Sequence, residues 1–186
     1  MAVPARDIAA ALRERLPGIG TMKLHKLLYY CQGIHLAHTG KQLFDDTICA
    51  WDMGPVVAPL WRAENAGETK PSGAELDNAE LGTINYVIST YGALSGADLS
   101  KLTHQESPWI RGDEQRRERG TASADIRVEW LAEYFTKAAR ETAEGEGSLD
   151  DDVIHEWLSE VAARPYPKPG TPATRESLAA WARRGA

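Results

Sequence analysis

Residues 21–40 read TMKLHKLLYYCQGIHLAHTG, and this stretch decides the fold. Apolar side chains recur in it at steps of three and four residues, the spacing that places them on one face of a helix. Thr21 stands where a helix begins, and Gly40 can take the left-handed conformation that often ends one. The pattern predicts a long core helix around which the other elements pack.

Two capping signals predict further helices. Asp77 is followed three residues later by Glu80, the spacing of a capping box, ahead of an apolar run that stops near Gly92. Ser95 and Asp98 have the same three-residue spacing and predict a second capping box before a short helix. Helical periodicity therefore continues through the middle of the chain.

Later segments extend the helical pattern with one interruption. Ser107 and Pro108 have the order of an N-cap and a first helical position, and apolar residues from Ile126 to Ala138 trace another amphipathic face. Residues 42–57 are rich in β-branched and aromatic side chains and predict one strand or hairpin, with helical spacing resuming from Pro55. The predicted fold class is mainly α, a compact helical domain with at most a short β-hairpin.

Composition predicts two parts in the chain of 186 residues. Residues 1–142 have the composition of one compact domain, since 42% of the whole chain is hydrophobic and 26% is charged. Residues 143–186 carry an acidic run, a helix-like stretch and a proline-rich linker, and predict a helical C-terminal extension. We expect the boundary between Thr142 and Ser148.

Charge and hydropathy exclude several function classes. The formal net charge of −6 gives the phosphates of DNA no general attraction, so direct DNA binding is unlikely. No apolar run approaches the roughly 20 residues that span a bilayer, and charges interrupt the N-terminus before a signal-peptide core. We expect a cytoplasmic protein that does not bind membranes, with Cys31 and Cys49 as reduced thiols.

The segment Thr103–Trp109 is the strongest enzyme-like cluster. It brings an imidazole, a carboxylate and a hydroxyl within four positions, at His104, Glu106 and Ser107. Neighbours in a turn point in different directions, whereas a nucleophile needs its base close in space. The plainer interpretation is a turn between helices, in which His104 and Ser107 satisfy backbone groups and Trp109 anchors the next helix.

A metal site is the second chemical hypothesis. Cys31, His35 and His38 lie at positions i, i+4 and i+7, and Cys49 offers a fourth ligand of the kind that zinc prefers. The paired short spacings of structural zinc sites are missing, so a packed helix face is the preferred interpretation. No cofactor, metal or catalytic residue is predicted. The basic cluster of Arg116, Arg117 and Arg119 alternates with glutamates and predicts a solvated helix face.

Six tryptophans suggest aromatic anchors for a partner. Trp51 and Trp61 flank the break formed by Gly54 and Pro55, where a rigid backbone either buries the rings or displays them. Trp157 and Trp181 lie in short amphipathic stretches of the predicted extension. Helices this short are marginal alone, so they are expected to dock on their own domain or on a partner.

Several motifs together resemble a known family. In chain order they are KLHKLLYY at 23–30, LFDD at 43–46, AW at 50–51, GPVV at 54–57 and HQESPW at 104–109. The combination resembles the Panacea domain, also called the SocA-like or phage-associated GepA-like family, and the resemblance spans residues 7–140. The matching family positions are Lys26, Tyr30, Trp51, Gly54, Pro55, His104, Pro108 and Trp109.

The resemblance implies an antitoxin of a bacterial or prophage toxin–antitoxin pair. Such a domain is mainly helical and neutralises a cognate protein toxin by direct contact, and small alarmone-synthetase-like toxins are among the family's partners. Some members resemble proteolytic adaptors that deliver a bound protein to an ATP-dependent protease, which is the alternative function. A hydrolase using His104 and Glu106, or a metal enzyme using Cys31, His35 and His38, is a further alternative from another class.

Partner contacts are expected from aromatic and motif residues. The candidates are Tyr30, Trp51, Gly54, Pro55, Trp61, His104, Glu106, Trp109, Trp157 and Trp181. The acidic surplus of residues 71–112 and 141–186 predicts electrostatic steering towards a basic toxin surface, so association should slow as salt rises.

Overall fold

The computed structural model describes residues 2–68 and 70–146, and it confirms a mainly α fold. The described helices are α1 (Ala5–Arg15), α2 (Thr21–Thr39), α3 (Ala58–Asn65), α4 (Asn78–Tyr91), α5 (Gly96–Thr103), α6 (Ser107–Glu118) and α7 (Val128–Glu146). The described strands are β1 (Ile48–Trp51), β2 (Gly54–Val57) and β3 (Ala124–Asp125), which form one antiparallel sheet in the order β2-β1-β3. None of the described helices is both long and apolar enough to cross a membrane.

Helix α2 is the centre of the fold, as the sequence predicts. It begins at Thr21 and ends at Thr39, and Gly40 follows with a φ of 66°, the left-handed C-cap. All residues from Leu24 to Leu36 are buried, because α1, α4, α5, β2 and α7 surround the helix. Periodicity predicts one buried apolar face, whereas in the structure the helix is buried around its whole circumference.

Buried polar side chains of α2 form hydrogen bonds with the backbone of the loop and strand that pack against the helix. Gln32 accepts hydrogen bonds from the N–H groups of Leu43 and Phe44 at 3.0 and 3.1 Å, and its amide donates to the Phe44 carbonyl at 2.9 Å. His25 Nδ1 accepts the N–H of Val57 at 3.2 Å. Loop and strand groups that would be costly to bury unpaired are satisfied in this way.

Both predicted capping boxes form. The Asp77 carboxylate accepts the Glu80 N–H at 2.8 Å, and the Glu80 carboxylate accepts the Asp77 N–H at 2.8 Å. Ser95 and Asp98 make the same reciprocal pair at the start of α5. These bonds satisfy N–H groups that the first helical turn leaves without partners.

The hairpin forms between residues 48 and 57, and the sheet has one more strand than predicted. Ile48 pairs with Val57 and Trp51 with Gly54, so the turn consists of Asp52 and Met53. The third strand, β3, pairs with β1 through Cys49 and Ala50. Helical spacing from Pro55 is misleading, because residues 55–57 belong to β2 and α3 begins only at Ala58.

Two later helix starts differ from the predictions by one or two residues. The N-cap of α6 is Glu106, which makes Ser107 the first helical residue. Ile126 lies before α7, because its N–H donates to the Ile48 carbonyl at 2.8 Å beside the sheet. Long-range pairing thus overrides the local pattern at the start of α7.

The predicted boundary at residue 142 stays a prediction. Helix α7 continues through it to Glu146. The predicted extension beyond that helix, with Trp157 and Trp181, lies outside the described residues.

Candidate functional site

Residues that are far apart in sequence meet at one corner of the molecule. The corner is formed by residues 25–30 of α2, the β1–β2 turn and the junction between α5 and α6. All eight family positions expected from the resemblance belong to these elements or to the strands that the turn joins. We call this region the motif corner.

Lys26 lies at the base of the motif corner. Its side chain is 1% exposed, and its ammonium donates to the Pro55 carbonyl at 3.2 Å. Burial lowers the pKa of Lys26 to about 8. Gly54 has a φ of 104°, and a Cβ there would lie 2.7 Å from Lys26 Cε and 3.0 Å from Thr103 Oγ1. Glycine is needed for both reasons, the left-handed backbone and the close approach of the lysine.

Glu106 forms the second buried polar group of the corner. The Tyr30 hydroxyl donates to Glu106 Oε1 at 2.9 Å, and both residues are buried. Burial raises the pKa of Glu106 to about 7, and the hydrogen bond from Tyr30 opposes that rise. The same burial raises the pKa of Tyr30. The carboxyl group therefore ties α6 to α2 within an aromatic environment.

Trp109 connects the α5–α6 junction to the sheet. Its ring stacks on the His104 imidazole with centroids 3.9 Å apart, and its Nε1 donates to the Trp51 carbonyl at 3.1 Å. The residue is 8% exposed, so the predicted anchoring role is confirmed. The pKa of His104 is lowered by burial and, secondarily, by the positive charge of Lys26.

Arg116 is also part of the corner, and the prediction of a fully solvated basic face is wrong for it. Its guanidinium is buried and pairs with Asp113 of α6 at 2.6 Å and with Asp52 of the turn. Arg117 and Arg119 are exposed, as predicted. Asp113 and Arg116 are three residues apart, a spacing typical of an ion pair within one helix. No sequence pattern links Arg116 to Asp52, which is 64 residues away.

The predicted partner-binding residues divide into buried and exposed groups. Tyr30, Gly54, Pro55, Glu106 and Trp109 are buried within the corner. Trp51 and His104 are half-buried, and Trp61 is 37% exposed. The Trp51 and Trp61 rings pack edge to face with centroids 5.0 Å apart, so the sheet and α3 share one aromatic surface.

Sequence reasoning missed the most exposed apolar residue of this region. Met53, at the tip of the turn, is 56% exposed, and its carbonyl accepts a hydrogen bond from Ser100 Oγ at 2.9 Å. Its position between a tryptophan and a Gly-Pro pair was the available signal, since that order predicts a tight turn with its central residues on the outside.

The hypothetical metal ligands have other roles. Cys31 is fully buried, and His35 Nδ1 lies 2.9 Å from Thr83 Oγ1 in the contact between α2 and α4. His38 packs beside Tyr86, and Cys49 donates to Asp125 at 3.4 Å across the sheet. Within residues 2–68 and 70–146, no three His, Cys, Asp or Glu side chains are placed to hold a metal ion.

The hydrolase alternative gains no support from this geometry. Glu106 Oε1 accepts the Tyr30 hydroxyl and the His104 ring stacks on Trp109, while His104 Nε2 has no hydrogen-bond partner among the described residues, so the two side chains do not form the bonded pair that acid–base catalysis would use.

Comparison with known proteins gives one match. Neither the curated proteins nor the solved structures provide a relative of the chain. Residues 24–110 match the family model described as "Antitoxin SocA-like, Panacea domain", a range that contains all eight family positions and the β1–β2 turn but not Asp113 and Arg116 of α6. This range is narrower than the expected 7–140, but it confirms the resemblance: residues 24–110 of this chain are similar to the SocA-like Panacea domain of antitoxins.

Proposed function

We propose that the protein is an antitoxin that neutralises a cognate protein toxin by direct binding in the bacterial cytoplasm. The observation that carries this proposal is the match of residues 24–110 to an antitoxin-like domain family. The family match supports an antitoxin-type role in general, and it favours binding over catalysis.

The structure supports a binding role in a second way. The motif residues form a buried framework around the β1–β2 turn, while Met53 and Trp61 remain on the surface beside it. Rigid presentation of apolar side chains lowers the entropy lost on association. A standard protein interface of roughly 1,600 Å² in total is compatible with a domain of this size.

The test is co-expression with the protein encoded by the adjacent open reading frame. Expressed alone, that protein should stop bacterial growth; expressed with the full chain, it should be harmless and co-purify with it. An empty vector and a chain with Gly33→Trp, which is expected not to fold, serve as controls. A harmless neighbour, or rescue without co-purification, would contradict neutralisation by direct binding.

The proteolytic-adaptor alternative makes a different prediction in the same cells. Direct blockade leaves the amount of toxin unchanged during rescue. An adaptor instead lowers it, and deletion of the ATP-dependent proteases restores both the toxin and its effect. Immunoblots of the toxin over time therefore separate the two functions.

A further inference from the structure

We propose that the β1–β2 turn is the contact point for the protein partner, with Asp52, Met53 and Trp61 on its surface. We call these three residues the turn surface. We further infer that the partner presents an apolar pocket without net charge to it. This inference rests on the proposed antitoxin function and names the part of the molecule that performs it.

The backbone of the turn is fixed from three helices. Each of three carbonyls in or beside the turn accepts a hydrogen bond from a different helix: Trp51 from Trp109 Nε1 at 3.1 Å, Met53 from Ser100 Oγ at 2.9 Å, and Pro55 from Lys26 Nζ at 3.2 Å. Arg116 adds a fourth connection, to the Asp52 carboxylate. A two-residue turn needs none of these to form, so their concentration here indicates that its position matters.

The tip of this fixed turn is apolar and exposed. Turn centres are usually Gly, Asn, Asp or Ser, because these residues suit the backbone and water. Met53 is 56% exposed, and Trp61 next to the turn is 37% exposed. The Trp61 ring packs on Trp51, the residue before the turn, so partly exposed apolar side chains adjoin the turn from β1 to α3. Such surfaces mark interaction sites, and the flexible thioether of methionine adapts to partner surfaces.

The exposed carboxylate of the turn belongs to a paired network of two acidic and two basic side chains, and this defines the partner's chemistry. The carboxylates of Asp52 and Asp113 are matched by the guanidiniums of Arg116 and Arg117, through pairs of 2.6 Å for Asp113–Arg116 and 2.8 Å for Asp113–Arg117. A strongly charged partner surface would gain little attraction here. An uncharged apolar pocket for Met53, with the Trp61 ring packed against its rim, complements the turn surface. A nucleic-acid phosphate would be repelled by the negatively charged Asp52 side chain, which is 84% exposed.

The first test compares two methionines. Purified full-length chain is titrated with the protein encoded by the adjacent open reading frame, and affinities are measured for wild type, Met53→Asp and Met53→Ala. The matched control is Met22→Asp, because Met22 is also exposed, at 37%, but lies at the start of α2 beside Gly96. We expect affinity to fall at least tenfold for Met53→Asp and at least threefold for Met53→Ala, and less than twofold for Met22→Asp.

Thermal unfolding and helical circular dichroism of each variant accompany the titrations. Wild-type affinity for both Met53 variants would overturn the inference while leaving the antitoxin function intact. A wild-type chain that never binds the neighbouring protein would instead overturn the proposed function itself. Equal losses for Met53→Asp and Met22→Asp, with both folded, would also contradict the assignment of the turn.

Salt dependence provides the second test. If the pocket carries no net charge, the dissociation rate of the wild-type complex should change less than twofold between low and physiological salt. Electrostatic steering by acidic regions elsewhere affects the association rate instead. A dissociation rate that rises tenfold or more with salt would show a charged contact and contradict the apolar pocket.

Discussion

Two segments of the buried helix α2 solve different packing problems: an aromatic end around Tyr29 and Gly33, and a polar end at His25 and Lys26. At its aromatic end, Gly33 lets the Phe135 ring of α7 lie directly on the helix backbone, and Tyr29 packs edge to face on that ring with centroids 5.6 Å apart. At its polar end, the His25 and Lys26 side chains bind strand β2 through backbone hydrogen bonds.

The difference shows how stability and position are divided in this domain. Close apolar packing at the aromatic end depends on shape, and it stabilises the fold without directing any particular group to the surface. The hydrogen bonds at the polar end have fixed partners, so they determine where the turn surface lies. Variants at the aromatic end should therefore unfold the protein, whereas variants at the polar end should change its response to pH.

The largest effect is expected from Gly33→Ala. A Cβ at this position would lie 2.1 Å from Phe135 Cδ2, so the ring and α7 must move away from α2. We expect a loss of about 3 kcal/mol in the free energy of unfolding, the upper part of the usual range for overpacking. Urea unfolding followed by circular dichroism measures it.

Gly20→Ala is the matched control for this change. Gly20 has an ordinary φ of −73°, and no atom would lie within 4 Å of its Cβ. We expect a change within about 1 kcal/mol, the usual effect of a glycine-to-alanine substitution at an unstrained site. Adding Phe135→Leu to Gly33→Ala should recover part of the lost stability; no recovery would locate the clash elsewhere.

A smaller effect is expected from Glu106, which lies between the two ends. Its pKa is about 7 in the folded state, mainly through burial, and near 4.5 when unfolded, so the folded protein holds an extra proton between these values. Its contribution is present below pH 4.5 and is lost as pH rises towards 7, by up to about 1 kcal/mol per pH unit. Urea unfolding at pH 5, 6 and 7 measures this slope.

The control for that slope is Glu106→Gln, which keeps the shape but does not titrate. Burial lowers the pKa of His25 and His35 to about 4, so both histidines oppose Glu106 by costing stability as pH falls from 6.5 to 4. They are unchanged in the variant. The stability of wild type minus that of Glu106→Gln should therefore decrease as pH rises; a constant difference would contradict the raised pKa.

The polar end itself is tested at alkaline pH with Lys26→Met. Burial lowers the folded pKa of Lys26 to about 8 from 10.5, so above pH 8 the unfolded chain holds a proton that the folded chain has released. Wild-type stability should rise relative to Lys26→Met between pH 8 and 9.5, by roughly 1.5 kcal/mol in total. Parallel urea curves at pH 7.5, 8.5 and 9.5 measure it, and a parallel course of the two proteins would show that Lys26 keeps its ordinary pKa.

Local signals explain which parts of the fold the sequence predicts. The capping boxes at Asp77 and Ser95 form because their partners lie three residues away, and α2 forms because its apolar spacing is continuous. Strand β3 is two residues long and forms only because it pairs with β1, so no local sequence pattern predicts it.

The candidate site follows the same rule. Motif resemblance identifies Lys26, Gly54 and Trp109, but their burial arises from contacts between residues 29 to 58 positions apart. The exposed tip at Met53 belongs to no recognised motif and carries only a turn signal. Sequence reasoning thus finds the framework of the corner more readily than the surface that the framework positions.

The smallest effect is expected at the N-cap of α4, outside the motif corner. Asp77→Ala removes the acceptor of the Glu80 N–H, a bond of 2.8 Å, and should cost about 1 kcal/mol of stability. Asp77→Asn keeps a capping oxygen and should cost only a few tenths of that amount. Because the hydrogen bonds of this cap join Asp77 to Glu80 and not to the turn surface, both variants should bind the partner as the wild type does. Weaker binding by a folded Asp77→Ala protein would mean that α4, and not the polar end of α2 alone, helps to position the turn surface.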